Sequence, residues 1–140
     1  MAEFRFSIPL ETRYGDLDPQ WHLNNARFLT FFEHARMAYL VHLGLWDGKD
    51  FFKLGLIVAD VHVSYLAPVE IFRKCRVELR VSRLGNKSMT FEYRLVDEED
   101  GTLYATAETV MVSYDYYARK SIPIPSEWRE KIAAFEGLTV

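Results

Sequence analysis

Residues 26 to 43 constrain this chain more than any other stretch. Phe28, Leu29, Phe31, Phe32, Ala35, Met37, Ala38, Tyr39, Leu40, Val41 and Leu43 recur at helical spacing and nearly surround the axis. Only Arg27, Thr30, Glu33 and His34 form a polar stripe, with Arg36 and His42 beside it. A helix that apolar has to be covered over most of its circumference. At 1.5 Å per residue it spans about 27 Å, which suits a helix wrapped by a curved sheet better than one lying on a surface. Asn24 or Asn25 can cap its start by accepting an orphaned backbone N–H, and Gly44 is placed to end it at C′.

The rest of the chain supplies that sheet. Phe4, Phe6, Ile8, Leu10, Thr12 and Tyr14 alternate with polar residues, which predicts a half-buried strand. Pro9 puts that strand at a sheet edge or beside a bulge. Alternation returns over residues 57–65, 76–82 and 89–95, and again from about Thr102 to Tyr114. The turn at Gly85-Asn86 and the run Asp97-Glu98-Glu99-Asp100-Gly101 are short, so the last strands pair antiparallel. Ser126 can cap a short helix over Glu127–Phe135. Strand, long buried helix, then four strands is one α+β unit. No repeat or linker divides residues 1–140, so a single domain is expected.

Composition narrows the function classes. The 140 residues carry a net charge of only -3, so no field favours nucleic acid. The single cysteine, Cys75, cannot make an internal disulfide, and with no ligand spacing among His34, His42 and His62 no metal site is expected. The start, Met1-Ala2-Glu3-Phe4-Arg5, lacks the apolar run of a signal peptide, and no long uncharged apolar stretch suggests a membrane span. A cytoplasmic protein is the expectation. Aromatic residues make up 15%, which points to an aromatic core, a pocket or an interface.

The loop before the helix carries the chemistry. Gly15-Asp16-Leu17-Asp18-Pro19-Gln20-Trp21-His22-Leu23-Asn24-Asn25 sets two carboxylates, a histidine and two amides against a helix N-terminus. That end bears a partial positive charge and unpaired N–H donors, which can polarise a carbonyl and hold the oxyanion formed when it is attacked. A carboxylate beside it can act as base toward water or as nucleophile. The combination suits acyl-group hydrolysis.

The run D-x-D-x-x-x-H-x-N-N from Asp16 to Asn25, followed by Phe32-Glu33-His34-Ala35-Arg36 in an aromatic helix, resembles the hotdog-fold thioesterases of the 4-hydroxybenzoyl-CoA thioesterase family. The resemblance covers nearly the whole chain. It implies a hotdog fold, an antiparallel curved sheet wrapped around a long central helix. It also implies Asp18 as the catalytic carboxylate and a backbone N–H around Asn24 to Ala26 as the group that polarises the thioester carbonyl. The family commonly has Gly before the histidine, where this chain has Trp21, a departure that bears on the pocket mouth and the acyl group accepted.

Each residue also has a plainer reading. Asp18 alone is a turn former before Pro19; within the motif it is the catalytic candidate. Asp16 reads as structural, bonding loop N–H groups or an arginine. His22 either orients the loop or lines the site. Asn24 and Asn25 are caps first, with Asn25 also placed to hold water or substrate. Glu33 is an alternative carboxylate, its ordinary role being an ion pair with Arg36 one helical turn on. Coenzyme A needs cationic phosphate partners. Arg73-Lys74-Cys75-Arg76 and the turn holding Arg83, Gly85, Lys87 and Ser88 are the candidates, the second matching the family's CoA-binding turn.

Hydrolysis of an acyl-CoA thioester is the leading expectation, with no cofactor, since CoA is part of the substrate. A hotdog enoyl-CoA hydratase is a second reading, because Gly15-Asp16-Leu17-Asp18-Pro19-Gln20-Trp21-His22 approaches G-D-x-N-P-x-H. A non-catalytic acyl-CoA or acyl-carrier-protein binding module is a third. The family's habit implies a homodimer or homotetramer, and Leu56–Leu66 is the expected pairing edge by its length and apolar alternation.

Overall fold

The computed structural model describes residues 4–139 and begins with strand β1, Phe6–Glu11. A 3-10 turn over Tyr14–Asp16 and a loop lead into helix α1, Asn25–His42. Strands β2 (Leu56–Tyr65), β3 (Lys74–Leu84), β4 (Ser88–Asp97) and β5 (Leu103–Asp115) follow, then the two-residue β6 (Lys120–Ser121) and helix α2 (Ser126–Glu136). Every pairing is antiparallel. The sheet runs β1-β3-β4-β5-β2, with β6 added to β5. The element order and the antiparallel pairing are those the alternation predicts.

Burial follows the sequence periods. Cys75, Val77, Leu79 and Val81 of β3, and Met89, Phe91, Tyr93 and Leu95 of β4, point inward and are buried. From α1 they meet Phe28, Phe31, Phe32, Ala35, Tyr39 and Leu40. Tyr39 sits at the centre, its ring edge-on to Phe6, Phe91 and Phe135 at 5.5–5.8 Å. Its hydroxyl donates to Glu136 of α2, whose carboxylate also accepts the Val81 N–H. This ties both helices to β3. Asn24 caps α1 through its side chain, and Gly44 takes the left-handed φ of 73° just past the end.

Five local expectations fail for physical reasons. The first strand was expected over 4–14 but ends at Glu11, because Thr12 turns away to bond the Glu70 carbonyl and the Arg73 N–H. Phe4 leaves the apolar face and lies near the guanidinium groups of Arg80 and Arg94, each 5.7 Å from its ring. Ser126 does not cap α2; the helix begins at Ser126 with Pro125 at the cap position. Arg36 does not pair with Glu33; it is buried and donates to the Tyr93 hydroxyl at 3.0 Å. Finally, the sheet covers less of α1 than its composition predicts. Leu29 and Val41 are exposed on the helix, and Val58 and Val61 on β2. β2 is the last strand of the sheet, and clefts remain between it and the helix.

Candidate active site

The loop from Leu17 to Leu23 closes on itself. Leu17 and Leu23 form an antiparallel bridge. The Asp18 N–H donates to the His22 carbonyl at 3.0 Å, and the Trp21 N–H to the Asp18 carbonyl at 2.9 Å. Within this tight turn Asp18 Oδ1 accepts the Gln20 N–H at 2.9 Å, while no donor reaches Oδ2 among the described residues. One oxygen therefore fixes the side chain and the other is uncommitted. Trp21 closes the turn with φ +63°, the left-handed region that glycine enters freely and other residues enter at a cost. This is why a glycine suits the position. The indole is 63% exposed and approaches the Tyr14 ring at 6.2 Å.

Asp16 is structural, as its plainer reading has it. Its buried carboxylate accepts the Arg13 N–H at 3.0 Å and lies 3.8 Å from Arg27 Nε. Its carbonyl accepts the Asn24 N–H at 2.9 Å, which docks the loop onto the helix start. At that start the Ala26 N–H is taken by Asn24 Oδ1 at 2.8 Å, and the Arg27 N–H by the Asn24 carbonyl at 2.8 Å. The Asn25 N–H is the donor left without a partner among the described residues. Of the three backbone candidates, geometry therefore singles out Asn25.

Asp18, His22 and Asn25 come together. With Gln20, Phe28 and Tyr65 they line a cleft of about 290 Å³ between α1 and the end of β2. From the sequence Tyr65 falls in a strand, where core or interface packing is the default reading. Its hydroxyl donates to the Asn25 carbonyl at 3.0 Å and its ring packs edge-on against Phe28 at 5.0 Å. It thereby fixes the peptide whose neighbouring N–H is free. Asn24 holds the helix start without lining the cleft, and Trp21 stands beside it. Glu33 lies elsewhere, on a second cleft further along α1.

The four residues expected to bind CoA lie far from Asp18 in the same protomer. The Gly85 N–H donates to the Ser88 carbonyl at 2.7 Å, and the Lys87 carbonyl accepts the Ser113 N–H at 2.8 Å. Ser113 pairs with Leu56 at the start of β2, whereas Tyr65 at its far end pairs with Ala105. Nine steps along a strand separate the two ends by about 30 Å. Arg83 is exposed near the end of β3, next to that turn. The other basic cluster is already occupied. Arg73 holds Asp97 at 2.6 Å, and Arg76 pairs with Glu98 at 2.5 Å and bonds Ser7. Cys75 is fully buried, and burial pushes its thiol up to about 12, away from the thiolate form. Among the described residues no cluster of His, Cys, Asp or Glu is arranged to hold a metal ion, and no helix is long and apolar enough to cross a membrane.

Over its whole length the chain is similar to known thioesterases. A family model for the thioesterase-like superfamily matches residues 12–132. The acyl-CoA thioesterase YbgC of Haemophilus influenzae is 30% identical over 141 aligned positions, covering 99% of each chain. The long-chain acyl-CoA thioesterase FadM of Escherichia coli K12 is 25% identical over 123, covering 88% of this chain and 93% of that one. A thioesterase of Thermus thermophilus, solved with coenzyme A and Zn, superposes with a TM-score of 0.86 at 30% identity, covering 99% of this chain and 100% of that one. With the curved antiparallel sheet around α1, these place the chain in the hotdog fold. The family model over residues 12–132, with a 30% identical relative aligned over nearly the whole chain, makes the chain a member of the thioesterase-like superfamily.

Proposed function

We propose that this protein hydrolyses acyl-CoA thioesters to the free acid and CoA, with Asp18 and the Asn25 N–H as its working groups. The observation that carries the reading is that Asp18 and Asn25, the residue with the uncommitted N–H, line one cleft. A thioester carbonyl bound there accepts from Asn25, and the helix terminus stabilises the charge that grows on its oxygen. Asp18, free at Oδ2, either takes a proton from the attacking water or adds to the carbonyl to give an anhydride that water opens. In both routes the C–S bond breaks and CoA leaves as the thiol. His22 lines the cleft beside the attack path, and Tyr65 holds the Asn25 peptide in place. Water is the only co-reactant, so the reaction needs no cofactor.

The complete site requires a second copy. β2 is ten residues long, unpaired along its outer edge among the described residues and exposed through Ile57, Val58, Val61 and Tyr65, the condition in which an edge recruits another strand. Two copies related by a two-fold axis pair β2 with β2 in antiparallel fashion. The start of one β2 then lies beside the end of the other. This brings Arg83, Gly85, Lys87 and Ser88 of one protomer toward Asp18 and Asn25 of its partner, across the 30 Å that divides them within a chain (about nine strand steps). The basic turn would receive the CoA phosphates.

Thiol release from short, long and aromatic acyl-CoAs tests the activity, with crotonyl-CoA added to the panel. Thiol release from at least one thioester is expected. Loss of enoyl absorbance without thiol would instead establish hydration, and no turnover of any thioester would overturn the reading. Light scattering is expected to give twice the chain mass or a multiple of it; a monomer would sink the composite site.

A further inference from the structure

Both clefts of this face lie between α1 and β2. The second is enclosed by Glu33, Arg36 and Met37 of α1, Leu56 and Val58 of β2, and Met111 of β5, around about 440 Å³. Thr30, Glu33 and His34 are exposed at its rim, while Leu54, Leu56, Val58 and Met111 make its apolar wall beside the buried Arg36. Arg36 is 5% exposed. Its Nη1 donates to the Tyr93 hydroxyl at 3.0 Å, and that hydroxyl shares a 2.7 Å hydrogen bond with Thr109 Oγ1. Arg36 Nε is buried with no partner, and the guanidinium forms no ion pair, among the described residues. Glu33, one turn earlier, stays on the exposed rim. A buried charge is costly unless an opposite charge meets it and its donors are satisfied. Guanidinium donors are shaped to take a carboxylate side by side.

Position along the helix gives that unmatched charge a use. Asn25 and Arg36 are eleven residues apart on α1, an advance of about 16 Å. An acyl chain whose carbonyl sits at Asn25 and whose methylenes follow the helix flank reaches the second cleft with its far end. Resting on the thioesterase reading above, we propose that Arg36 selects the acyl group: it binds a carboxylate at the end remote from the thioester, so the preferred substrates are long dicarboxylic acyl-CoA monothioesters. Leu56, Val58 and Met111 hold the methylenes, and the incoming carboxylate supplies the opposite charge that the guanidinium lacks.

The test compares thiol release from dodecanoyl-CoA and dodecanedioyl-CoA by the wild-type protein, Arg36→Lys and Arg36→Met. The wild type is expected to favour the dicarboxylic chain at least tenfold in kcat/KM. Arg36→Lys should keep part of that ratio and Arg36→Met should bring it to one. The ratio, rather than either rate, is the readout, so a general loss of activity does not imitate the effect. Should Arg36→Met fail to fold, free dodecanedioate must still inhibit the wild-type protein at a tenfold lower concentration than dodecanoate. Equal kcat/KM for the two thioesters, or a preference that survives Arg36→Met, overturns the proposal while leaving thioester hydrolysis standing. Equal kcat/KM together with weakened self-association of Arg36→Met would assign the guanidinium to a carboxylate of the partner subunit and overturn it as well. Failure to release thiol from any acyl-CoA would instead strike the activity itself.

Discussion

Replacing Trp21 by glycine and, separately, by alanine divides its backbone from its ring. Both variants lose the indole and its approach to Tyr14, so the difference between them is a property of the main chain. At φ +63° alanine keeps the clash between Cβ and the following carbonyl, worth about 1–2 kcal/mol; glycine does not. Glycine gives up more freedom on folding, which takes back about 0.5–1 kcal/mol. Trp21→Gly should therefore be the more stable by about 0.5–1 kcal/mol, a two- to fivefold difference in the folding equilibrium. Urea unfolding of the two variants measures it, at one fixed protein concentration because self-association feeds into apparent stability. Trp21→Ala as stable as Trp21→Gly would show that no strain is stored in the loop. The ring is read separately: if it shapes the mouth of the cleft, both variants change KM together and leave kcat nearer its original value.

Tyr65→Phe removes the bond to the Asn25 carbonyl; about 1 kcal/mol of stability should go, with a fall in kcat that a purely structural tyrosine would not cause. Asp97→Asn breaks a buried pair whose partner Arg73 is one-third exposed, so the loss belongs at the lower end of the range for such pairs, about 3 kcal/mol by chemical denaturation. The same substitution should flatten the acid limb of stability. Burial pushes the Asp97 carboxyl up, but hydrogen bonds from Tyr104, Arg73 and the N–H groups of Glu99 and Asp100 hold it below the ordinary carboxylate range. Its contribution is present above about pH 4 and is lost as the pH falls further. Co-expressing Asp18→Asn with a variant carrying both Arg83→Glu and Lys87→Glu should restore up to about a quarter of wild-type turnover, since half the dimers are mixed and each has one intact site; additive, unrestored rates would place both clusters in one protomer.

What could be read from the chain follows the range of the interactions involved. The helix was legible because Phe28, Phe31, Phe32, Tyr39 and Leu40 impose a short period, and β3 and β4 because inward and outward residues alternate. The Asp16–Asn25 loop was legible as a dense local run. Features set by distant partners were not. Arg36 lies one turn from Glu33, which suggested a surface ion pair, yet its hydroxyl partner is on β4, 57 residues away. β1 stops early because Thr12 is held by residues 58 and 61 positions later. Tyr65 meets Asn25 only through the packing of β2 on α1, at a separation of 40 residues. Trp21 showed itself as a departure from the expected glycine, while the positive φ that makes glycine suitable there is a property of the closed loop.

The central claim is that Asp18, set beside the free Asn25 N–H, performs thioester hydrolysis. Thiol release by the wild type and Asp18→Asn, on whichever acyl-CoA the wild type turns over fastest, tests it most directly. Asparagine keeps the Oδ1 that accepts the Gln20 N–H, so the loop and the unfolding midpoint should be retained. Because the base or nucleophile is gone, kcat should fall by about 10²–10⁴. Turnover within a few-fold of the wild type by a folded Asp18→Asn protein would contradict the account.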